Sequence, residues 1–544
     1  MVRRLRVGRA AALMAVASIA VAAAFGIPAG ADTAPPTPGT PLTVSADLLP
    51  APQIDGVAWS QTVSGNRVYV TGSFSNARPY GAAPGTNLTP RSNILAYDLT
   101  TGALIASWAP TLNAQGLSIA ASPDGTRVYV VGDFTQVNGV NRYRIAALDA
   151  NTGAVLSSFT AGVNARVRAL AVTSDTVYVG GIFTVANNVA RTRLAAFATS
   201  NGALMPFNAT AEQEVMALTA PPGSGKLIAG GRFTVLSGVA NYGLGAVDAT
   251  TGAALPWAAN QVVRDAGVNA AIYSLANDGG HVYGSGYTYG SGGNLEGSFG
   301  ADTTTGTVQW VNGCRGDTYS VAPIGPVLYS VGHPHDCGMI GAFPQSNPWT
   351  YQHAMGTTIG PAADGRVNTY GNFTGRPAPE MLHWLPTLDV GSYTGQSQAA
   401  WHVTGTSQYV LLGGEFPKVN GTAQQGLARF AVKELAPNRQ GPIGYSTLTP
   451  TLTGVSRGTV KATWTAAWDR DNRRLRYELL RGATISTSIV ITTFTADSNW
   501  WTRPALSFTD TTAPPGTSQT YRVRVTDPFG NSMTSVTATV TVPT

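Results

Sequence analysis

Val177-Tyr178-Val179-Gly180-Gly181-Ile182-Phe183 is an apolar run with two glycines near its end, and the chain repeats it. The phenylalanines that end three successive copies lie 49 and 50 residues apart. A repeat of this length is typical of propellers, solenoids and related arrays. Further copies end at Phe74, Phe134, Phe233 and Phe416, and looser ones span 282–287, 327–332 and 367–373.

Both faces of this run are apolar. Successive side chains of a strand point to opposite faces, which places Val177 and Val179 on one face and Tyr178 and Ile182 on the other. Such a strand needs cover on both sides. In a propeller each sheet packs between two neighbours, and glycines let the backbones approach closely. We therefore interpret the repeat as architectural.

The clearest unit divides into four short strands, 167–172, 177–184, 194–198 and 204–207, separated by turn residues. Four short strands form one propeller blade. The sequence thus predicts an all-β fold, with an eight-bladed β-propeller over residues 43–435. Seven blades are the alternative, because the units after Gly252 are weak. First strands are expected near Gly56, Gly116, Val167, Val215, Ile272, Thr318, Thr358 and Ala400.

The last unit stops at its third strand, so residues 43–49 are predicted to supply its outer strand and close the ring. A linker at 436–444 follows the propeller. Residues 445–544 then show short alternating strands, which favour a β-sandwich, with Tyr521 placed like the corner tyrosine of such domains.

Residues 1–31 have the pattern of a secretory signal peptide. Four arginines precede an apolar run, and Ala29-Gly30-Ala31 offers a cleavage site, so we expect an extracellular protein that begins at Asp32. An uncleaved membrane anchor is the alternative. A proline-rich linker is predicted at 32–42, and no later stretch predicts a membrane span.

The charge pattern excludes two classes of partner. The formal net charge is +6, and it falls to +2 when the four arginines of the leader leave. Charged residues make up 11% of the chain, against an average of about 25%. We therefore expect neither a nucleic-acid partner nor a polybasic membrane patch. We expect a monomer without a cofactor.

Two cysteines, Cys314 and Cys337, are the only ones in the chain. An oxidising compartment permits a disulfide between them, and both are expected on the same face of one blade. Zinc is the alternative, because His333, His335 and Asp336 adjoin Cys337. No spaced pair of ligands supports it, so we predict a disulfide and no metal.

The unit VYVGGIFT, followed by Arg-x-Arg, Ala-Ala and Thr-Gly, resembles the delta-60 repeat propellers of secreted bacterial proteins. Residues 445–544 resemble a fibronectin type III module. The first resemblance implies a fold but no settled activity, and the second implies an accessory module of the kind found beside polysaccharide-degrading domains. The fifth and sixth units lack the phenylalanine and the Arg-x-Arg, so those blades are predicted to be specialised.

In a four-stranded blade, the loops from second to third and from fourth to first strands share one face. The longest loops fall there, so we expect the ligand on that face. Four residues just before first strands are weak candidates for catalysis near the channel rim: Glu212, Glu214, Asp265 and Asp317. Tyr287, Tyr289, His333 and His335 are weak candidates for ligand binding. Trp310 and Trp349 match the fourth-strand aromatic residue of other blades and are interpreted as core.

Two functions from different classes follow. The first is a secreted, non-catalytic binding protein that recognises a glycan or a cell-surface protein through the loop face. The second is an extracellular polysaccharide-degrading enzyme, which needs two carboxylates about 5 to 10 Å apart across a sugar. The scarcity of paired acids favours the first. A structural role in the cell envelope is a further alternative.

Overall fold

The computed structural model describes residues 40–544. The expected signal peptide and most of the linker at 32–42 lie outside this range. Across residues 40–544 no helix is long and apolar enough to cross a bilayer. The helical turns of this range are 3-10 helices, at Ala258–Gln261, Gly338–Ile340 and Tyr445–Thr447.

Seven antiparallel sheets follow one another between Val57 and Ala431, and we number them blades 1 to 7. The first strands are Val57–Ser64, Gly116–Ala121, Val167–Val172, Val215–Thr219, Ala270–Asn277, Thr318–Ile324 and Ala400–Gly405. The second strands are Arg67–Ser73, Arg127–Gly132, Thr176–Gly181, Lys226–Gly231, His281–Thr288, Val327–Gly332 and Tyr409–Gly414. The third strands are Ile94–Asp98, Ile145–Asp149, Leu194–Ala198, Leu244–Asp248, Gly297–Asp302, Ala354–Thr358 and Leu427–Ala431.

The first strand of each blade contacts that of the next, and the first strand of blade 7 contacts that of blade 1. The sheets therefore form a closed β-propeller around a central channel. Blades 4 and 5 have a fourth strand, Ala254–Leu255 and Val308–Asn312. Single bridges stand in its place in four blades: Tyr97 to Leu104, Leu148 to Val155, Phe197 to Leu204 and Thr357 to Met381.

The first strand expected near Thr358 is not found in the described residues. Thr358 ends the third strand of blade 6 and pairs with Val327. The prediction of an eighth blade rested on the loose copy of the repeat at 367–373. This copy is not a second strand, since Val367 is exposed and makes only a single bridge, to Pro377. Residues 359–380 are thus an insertion in blade 6, before its outer bridge at Met381.

Packing explains the repeated run. Val177 and Val179 belong to the core shared with blade 2, whereas Tyr178 belongs to the core shared with blade 4. A Cβ at Gly181 would lie 2.2 Å from the carbonyl oxygen of Arg166, so only glycine fits there. A Cβ at Gly72, Gly132, Gly231, Gly332 or Gly414 would likewise lie 2.0 to 2.4 Å from a carbonyl oxygen. Ile182 departs from the expectation of an apolar, covered face, because 42% of it is exposed.

Residues near the amino-terminal end of the described range close the ring. The amides of Ser45 and Leu49 donate to the carbonyls of Ala431 (2.8 Å) and Arg429 (2.9 Å) in the third strand of blade 7. Arg429 is buried and donates to the carbonyls of Pro50 (2.9 Å) and Leu99 (2.7 Å). Segments from both ends of the propeller sequence therefore meet in blade 7, although the expected outer strand at 43–49 is reduced to a single bridge between Leu49 and Arg429.

Antiparallel strands send alternate loops to opposite faces of the disc. We call the face with the loops from second to third strands, and from blade to blade, the loop face. Its opposite is the turn face. Blades 2, 3, 4 and 7 carry a hairpin on the loop face: Gln136–Val137 with Val140–Asn141, Val185–Ala186 with Val189–Ala190, Val235–Leu236 with Val239–Ala240, and Lys418–Val419 with Thr422–Ala423. Blade 1 instead carries the small sheet Gln53–Ile54, Asn76–Arg78 and Thr89–Pro90, while blades 5 and 6 carry irregular loops at 289–296 and 333–353.

Two further sheets lie beyond the propeller and share one core. One contains Thr451–Ser456, Thr459–Thr465 and Ala505–Asp510. The other contains Arg474–Arg481, Ile489–Asp497, Ser518–Thr526, Ser532–Thr534 and Ala538–Thr541. Tyr521 is buried, and its hydroxyl donates to Asp510 Oδ2 (2.8 Å). A corner tyrosine donates to a backbone carbonyl instead.

The two-sheet module is joined to the propeller by buried hydrogen bonds. Asp471 Oδ2 accepts from the Ser45 hydroxyl (2.8 Å) and the Ala46 amide (2.7 Å), in the amino-terminal segment 45–49 that bonds to blade 7. Trp500 and Trp501 pack on Phe343 of blade 6, at ring distances of 5.5 and 5.8 Å. The module therefore contacts both the amino-terminal segment 45–49 and blade 6.

Candidate functional site

A β-bulge interrupts each first strand near its start and leaves one residue unpaired. A bulge turns the side chain of the extra residue to a new direction. In this ring all of those side chains line the central channel. The bulge residues are Trp59, Leu117, Arg168, Met216, Tyr273, Tyr319 and Trp401.

The bulge residues of blades 1, 5, 6 and 7 are aromatic and contact one another. The ring of Trp401 lies 4.4 Å from that of Tyr319 and 5.2 Å from that of Trp59. Tyr273 lies 5.3 Å from Tyr319, and the Arg168 guanidinium stands 4.7 Å above the Tyr273 ring. Trp401 and Tyr319 are almost fully buried. Aromatic rings therefore cover one side of the channel mouth.

A second ring surrounds the first and consists of the residue after the glycine that ends each second-strand repeat. Two of its contacts hold the mouth together: Glu415 Oε1 accepts from Trp401 Nε1 (3.0 Å), and Arg232 donates to the Tyr287 hydroxyl (2.8 Å). Its members, in blade order, are Ser73, Asp133, Ile182, Arg232, Tyr287, His333 and Glu415.

A cavity of about 210 Å³ lies in the channel and has a polar lining that includes Gln61 and His402. Gln61 Nε2 and His402 Nδ1 have no hydrogen-bond partner within residues 40–544. Burial lowers the pKa of His402 to about 4, so its imidazole is neutral at neutral pH. Arg168 is the charged residue of its lining. A polar cavity of this size suits ordered water.

The four candidate catalytic acids do not converge as one group. Glu212 is exposed and caps its own blade, since its carboxylate accepts from the Thr234 hydroxyl (2.7 Å) and the Val235 amide (2.9 Å). Glu214 is half-buried beside blade 4. Asp317 is near enough to Asp265 for its negative charge to raise the pKa of that carboxyl.

Asp265 is fully buried. Its Oδ1 accepts from the amides of Asn294 (2.7 Å) and Leu295 (3.0 Å), while its Oδ2 has no partner within the described residues. Desolvation raises the pKa of Asp265 to about 7, with smaller contributions from Glu296 and Asp317. Gly286 and Gly293 leave the space that the carboxylate fills.

Glu296 was missed by sequence reasoning, because it precedes a third strand rather than a first strand. It lines a polar cavity of about 240 Å³ with Arg315 and Asn294. Its Oε2 accepts from the Gly316 amide (3.2 Å). Burial, and then the neighbouring Asp317 charge, raise its pKa. Burial likewise raises the pKa of Asp317, although His333 opposes the shift.

The candidate ligand-binding residues all lie on the loop face. Tyr287 is half-buried and bonded to Arg232, whereas 81% of Tyr289 is exposed. The imidazole of His333 lies between blades 6 and 7, where Nδ1 is 3.1 Å from the Tyr319 hydroxyl and 3.0 Å from Gln398 Oε1. His335 is nearly buried.

Trp349 is not a core residue, contrary to expectation. It lies in the irregular loop of blade 6, and 51% of it is exposed, whereas Trp310 is buried in a fourth strand as expected. The Trp349 ring stacks on His335 at 4.2 Å and 15°. Tyr351 is 43% exposed and lies 5.9 Å from both His333 and His335. We call Trp349, Tyr351 and His335 the aromatic platform.

The expected disulfide between Cys314 and Cys337 is present, with a Cα separation of 4.3 Å. It joins the start of blade 6 to the loop that carries the platform. No group of three or more His, Cys, Asp or Glu side chains in residues 40–544 is arranged to hold a metal ion.

Comparison with known proteins agrees with the fold. Residues 123–152, which contain the second and third strands of blade 2, match the model of a family described as a domain of unknown function (DUF5122) beta-propeller. Among curated proteins the sequence finds no match. The chain is a β-propeller protein with a carboxy-terminal two-sheet module.

Several solved structures are similar over the propeller. The RRP9 WD40 repeats share 10% identity, with 72% of this chain and 100% of that chain covered and a TM-score of 0.43. U3-55K shares 11% identity, with 72% and 100% covered and a TM-score of 0.45. The computationally designed Ika8 protein shares 14% identity, with 71% and 99% covered and a TM-score of 0.39.

Proposed function

We propose that this protein is a secreted, non-catalytic binding protein whose loop face holds a glycan. The observation that carries the proposal is the difference between the two faces. Exposed aromatic side chains of the propeller are concentrated in loops of the loop face: Tyr80, Tyr143, Tyr242, Tyr289, Trp349, Tyr351 and Tyr393. The turn face has tight turns in which an aspartate accepts from a threonine amide two or three residues later, as in Asp149 to Thr152 (2.7 Å).

The aromatic platform favours a glycan over a protein ligand. The C–H groups on one face of a pyranose ring pack against the electron-rich face of an aromatic ring. Trp349 offers a large exposed surface, and stacking on His335 holds its ring in place. The cavity beside Glu296 and Arg315 supplies hydrogen-bonding groups for hydroxyls. An aromatic surface next to a few polar groups is the usual composition of a small-molecule site.

The test is binding of the full mature chain to plant, fungal and bacterial polysaccharides, measured by affinity electrophoresis. We expect Trp349→Ala with Tyr351→Ala to weaken binding by about tenfold or more, which corresponds to about 1.4 kcal/mol. The matched control is Tyr445→Ala, a tyrosine of similar exposure in the 3-10 helix that follows the linker. Unchanged binding in the double variant would refute the site, and retention of no glycan would point to a protein ligand.

Export and the nature of the module belong to the same proposal. The leader at 1–31 and the Cys314–Cys337 disulfide support an oxidising compartment outside the cytoplasm. The division of the carboxy-terminal strands into two facing sheets supports a fibronectin type III-like module. Mass spectrometry of the protein from culture medium should find an amino terminus at Asp32, and a cell-bound chain with an intact leader would contradict export.

Glycan hydrolysis is the second candidate function. Asp265, Glu296 and Asp317 favour it, because burial raises the pKa of each and general acids need such a shift. Release of reducing ends from the same polysaccharides, abolished by Glu296→Gln, would establish hydrolysis. Retention without release would support binding alone.

A further inference from the structure

Two half-buried acids, Glu296 and Asp317, lie on one side of the channel mouth, beside the buried Asp265. Asp265, Glu296 and Asp317 form no ion pair with any lysine or arginine of the described residues. Glu296 accepts from the Gly316 amide, and Asp317 Oδ2 accepts from the Tyr319 hydroxyl (3.2 Å). Half-buried carboxylates without an ion pair, such as those of Glu296 and Asp317, carry an unrelieved desolvation cost when they ionise.

The arginines of the mouth are held by aromatic side chains. Arg168 of blade 3 lies over Tyr273, and Arg232 of blade 4 donates to Tyr287, so both guanidinium groups contact tyrosines of blade 5. Arg315 lies near the carboxylates, but its Nη1 is 3.6 Å from Asp336 Oδ2 and its guanidinium is over the Tyr370 ring. Glu296, Asp317 and Asp336 thus face a single arginine.

The aromatic platform adjoins this acidic side through His333. The His333 ring lies 5.9 Å from Tyr351 of the platform and 5.8 Å from Tyr319. Its Nε2 faces the Asp317 amide at 3.4 Å. A chain of sugars that rests on Trp349 and Tyr351 therefore reaches Asp317 and Glu296 with a neighbouring unit.

We propose that the ligand is a polysaccharide of amino sugars: one pyranose stacks on Trp349 and Tyr351, and a protonated amino group lies between Glu296 and Asp317. This rests on the proposed function and names its ligand class. A protonated amine supplies the missing countercharge together with three hydrogen-bond donors. A bare metal ion fits less well, since no group of three metal-ligating side chains is present in residues 40–544.

The test is calorimetric titration of the full mature chain at pH 6 with three tetramers of equal length: glucosamine, N-acetylglucosamine and glucose. We expect the glucosamine tetramer to bind about tenfold or more tightly than the other two, and the preference to shrink in 0.5 M salt because added ions screen charge. Glu296→Gln with Asp317→Asn should abolish the preference and keep the binding of neutral tetramers. Trp349→Ala should weaken all three alike.

Controls separate this inference from the proposed function. Glu434→Gln removes an exposed carboxylate after blade 7 and should change nothing. If the double carboxylate variant melts early, Glu296→Gln alone replaces it. Equal affinity for the three tetramers would overturn the amino-sugar class and leave glycan binding in place. Absence of binding to every tetramer and every polysaccharide would overturn both.

Discussion

In blades 2 to 4 the second strand ends in a glycine and runs into a short hairpin, whereas in blades 5 and 6 it runs into an irregular loop. The residue after the glycine is Ile182 in blade 3, but Tyr287 in blade 5 and His333 in blade 6. Strand pairing depends on the glycine and not on the residue that follows it. The fold can therefore change the side chains at the channel mouth without changing the blade.

The largest expected effect tests the glycine. Gly181→Ala places a methyl group 2.2 Å from a backbone carbonyl, so we expect a loss of about 4 kcal/mol or more in the free energy of unfolding. Gly286→Ala in blade 5 meets a side-chain oxygen of Asp265 at 2.5 Å and comes no nearer than 3.1 Å to a backbone oxygen, so it should cost less. Urea denaturation checks both.

Gly360→Ala is the matched control, because nothing lies within 4 Å of a Cβ built there. Equal midpoints for Gly181→Ala and Gly360→Ala would show that the glycine is not needed for the blade.

The next effect is the pH dependence from Asp265. Its folded-state pKa of about 7 exceeds the ordinary value of 3.8, so between these values the folded protein binds more protons than the unfolded chain. Stability is therefore lost as the pH rises through this window, by on the order of 4 kcal/mol at most. Asp265→Asn should flatten the decline in melting temperature between pH 5 and pH 8.

Glu212 of blade 4 should behave in the opposite way. Burial raises the pKa of Glu212, but hydrogen bonds from Thr234 and Val235 outweigh this effect, so the pKa in the folded protein is lower than in the unfolded chain. The ionised carboxylate therefore stabilises the folded protein at pH values above the unfolded pKa. Glu212→Gln should lower the melting temperature at pH 8, whereas Asp265→Asn should raise it. The same sign for both variants would contradict the comparison.

A smaller effect concerns the disulfide of blade 6. Cys314 and Cys337 are separated by 23 residues, and a crosslink over a loop of this size contributes about 3 kcal/mol. Replacing both by alanine should lower the urea midpoint and let protease cut within residues 333–353 first. Cleavage that begins in the hairpins of blades 2 to 4 instead would show that the crosslink does not secure the irregular loop.

The smallest effect is expected at Arg193 of blade 3. Its φ of 71° is unfavourable for a side chain, and Gly243 takes the same position in blade 4 with a φ of 76°. Arg193→Gly relieves that cost but adds backbone entropy to the unfolded chain, so the free energy of unfolding should change by less than about 1 kcal/mol. A larger loss would mean that the Arg193 side chain stabilises the blade.

The blades were predictable from sequence, and the mouth was only partly so. The apolar run is a local pattern that repeats at a regular spacing along the chain, and its last glycine recurs because a side chain there would meet a carbonyl oxygen. The bulge residues could not be found, because a bulge depends on how two strands pair. Of the aromatic platform only His335 was a candidate, because the spacing of Trp349 imitates that of a fourth-strand core residue such as Trp310. Glu296 was missed because it precedes a third strand.

The pairing of the amino-terminal segment 45–49 with blade 7 has a consequence for how the protein is made. The residues around Ser45 and Leu49 leave the ribosome long before Ala431, their partner in blade 7. Until then the growing chain has an unpaired sheet edge, which is where misassembly begins. The amino-terminal segment can pair with blade 7 only after synthesis has passed that blade, and its hydrogen bond to Asp471 forms later still. Chains that stop before blade 7 therefore keep an unpaired sheet edge and are expected to aggregate more readily than the complete chain.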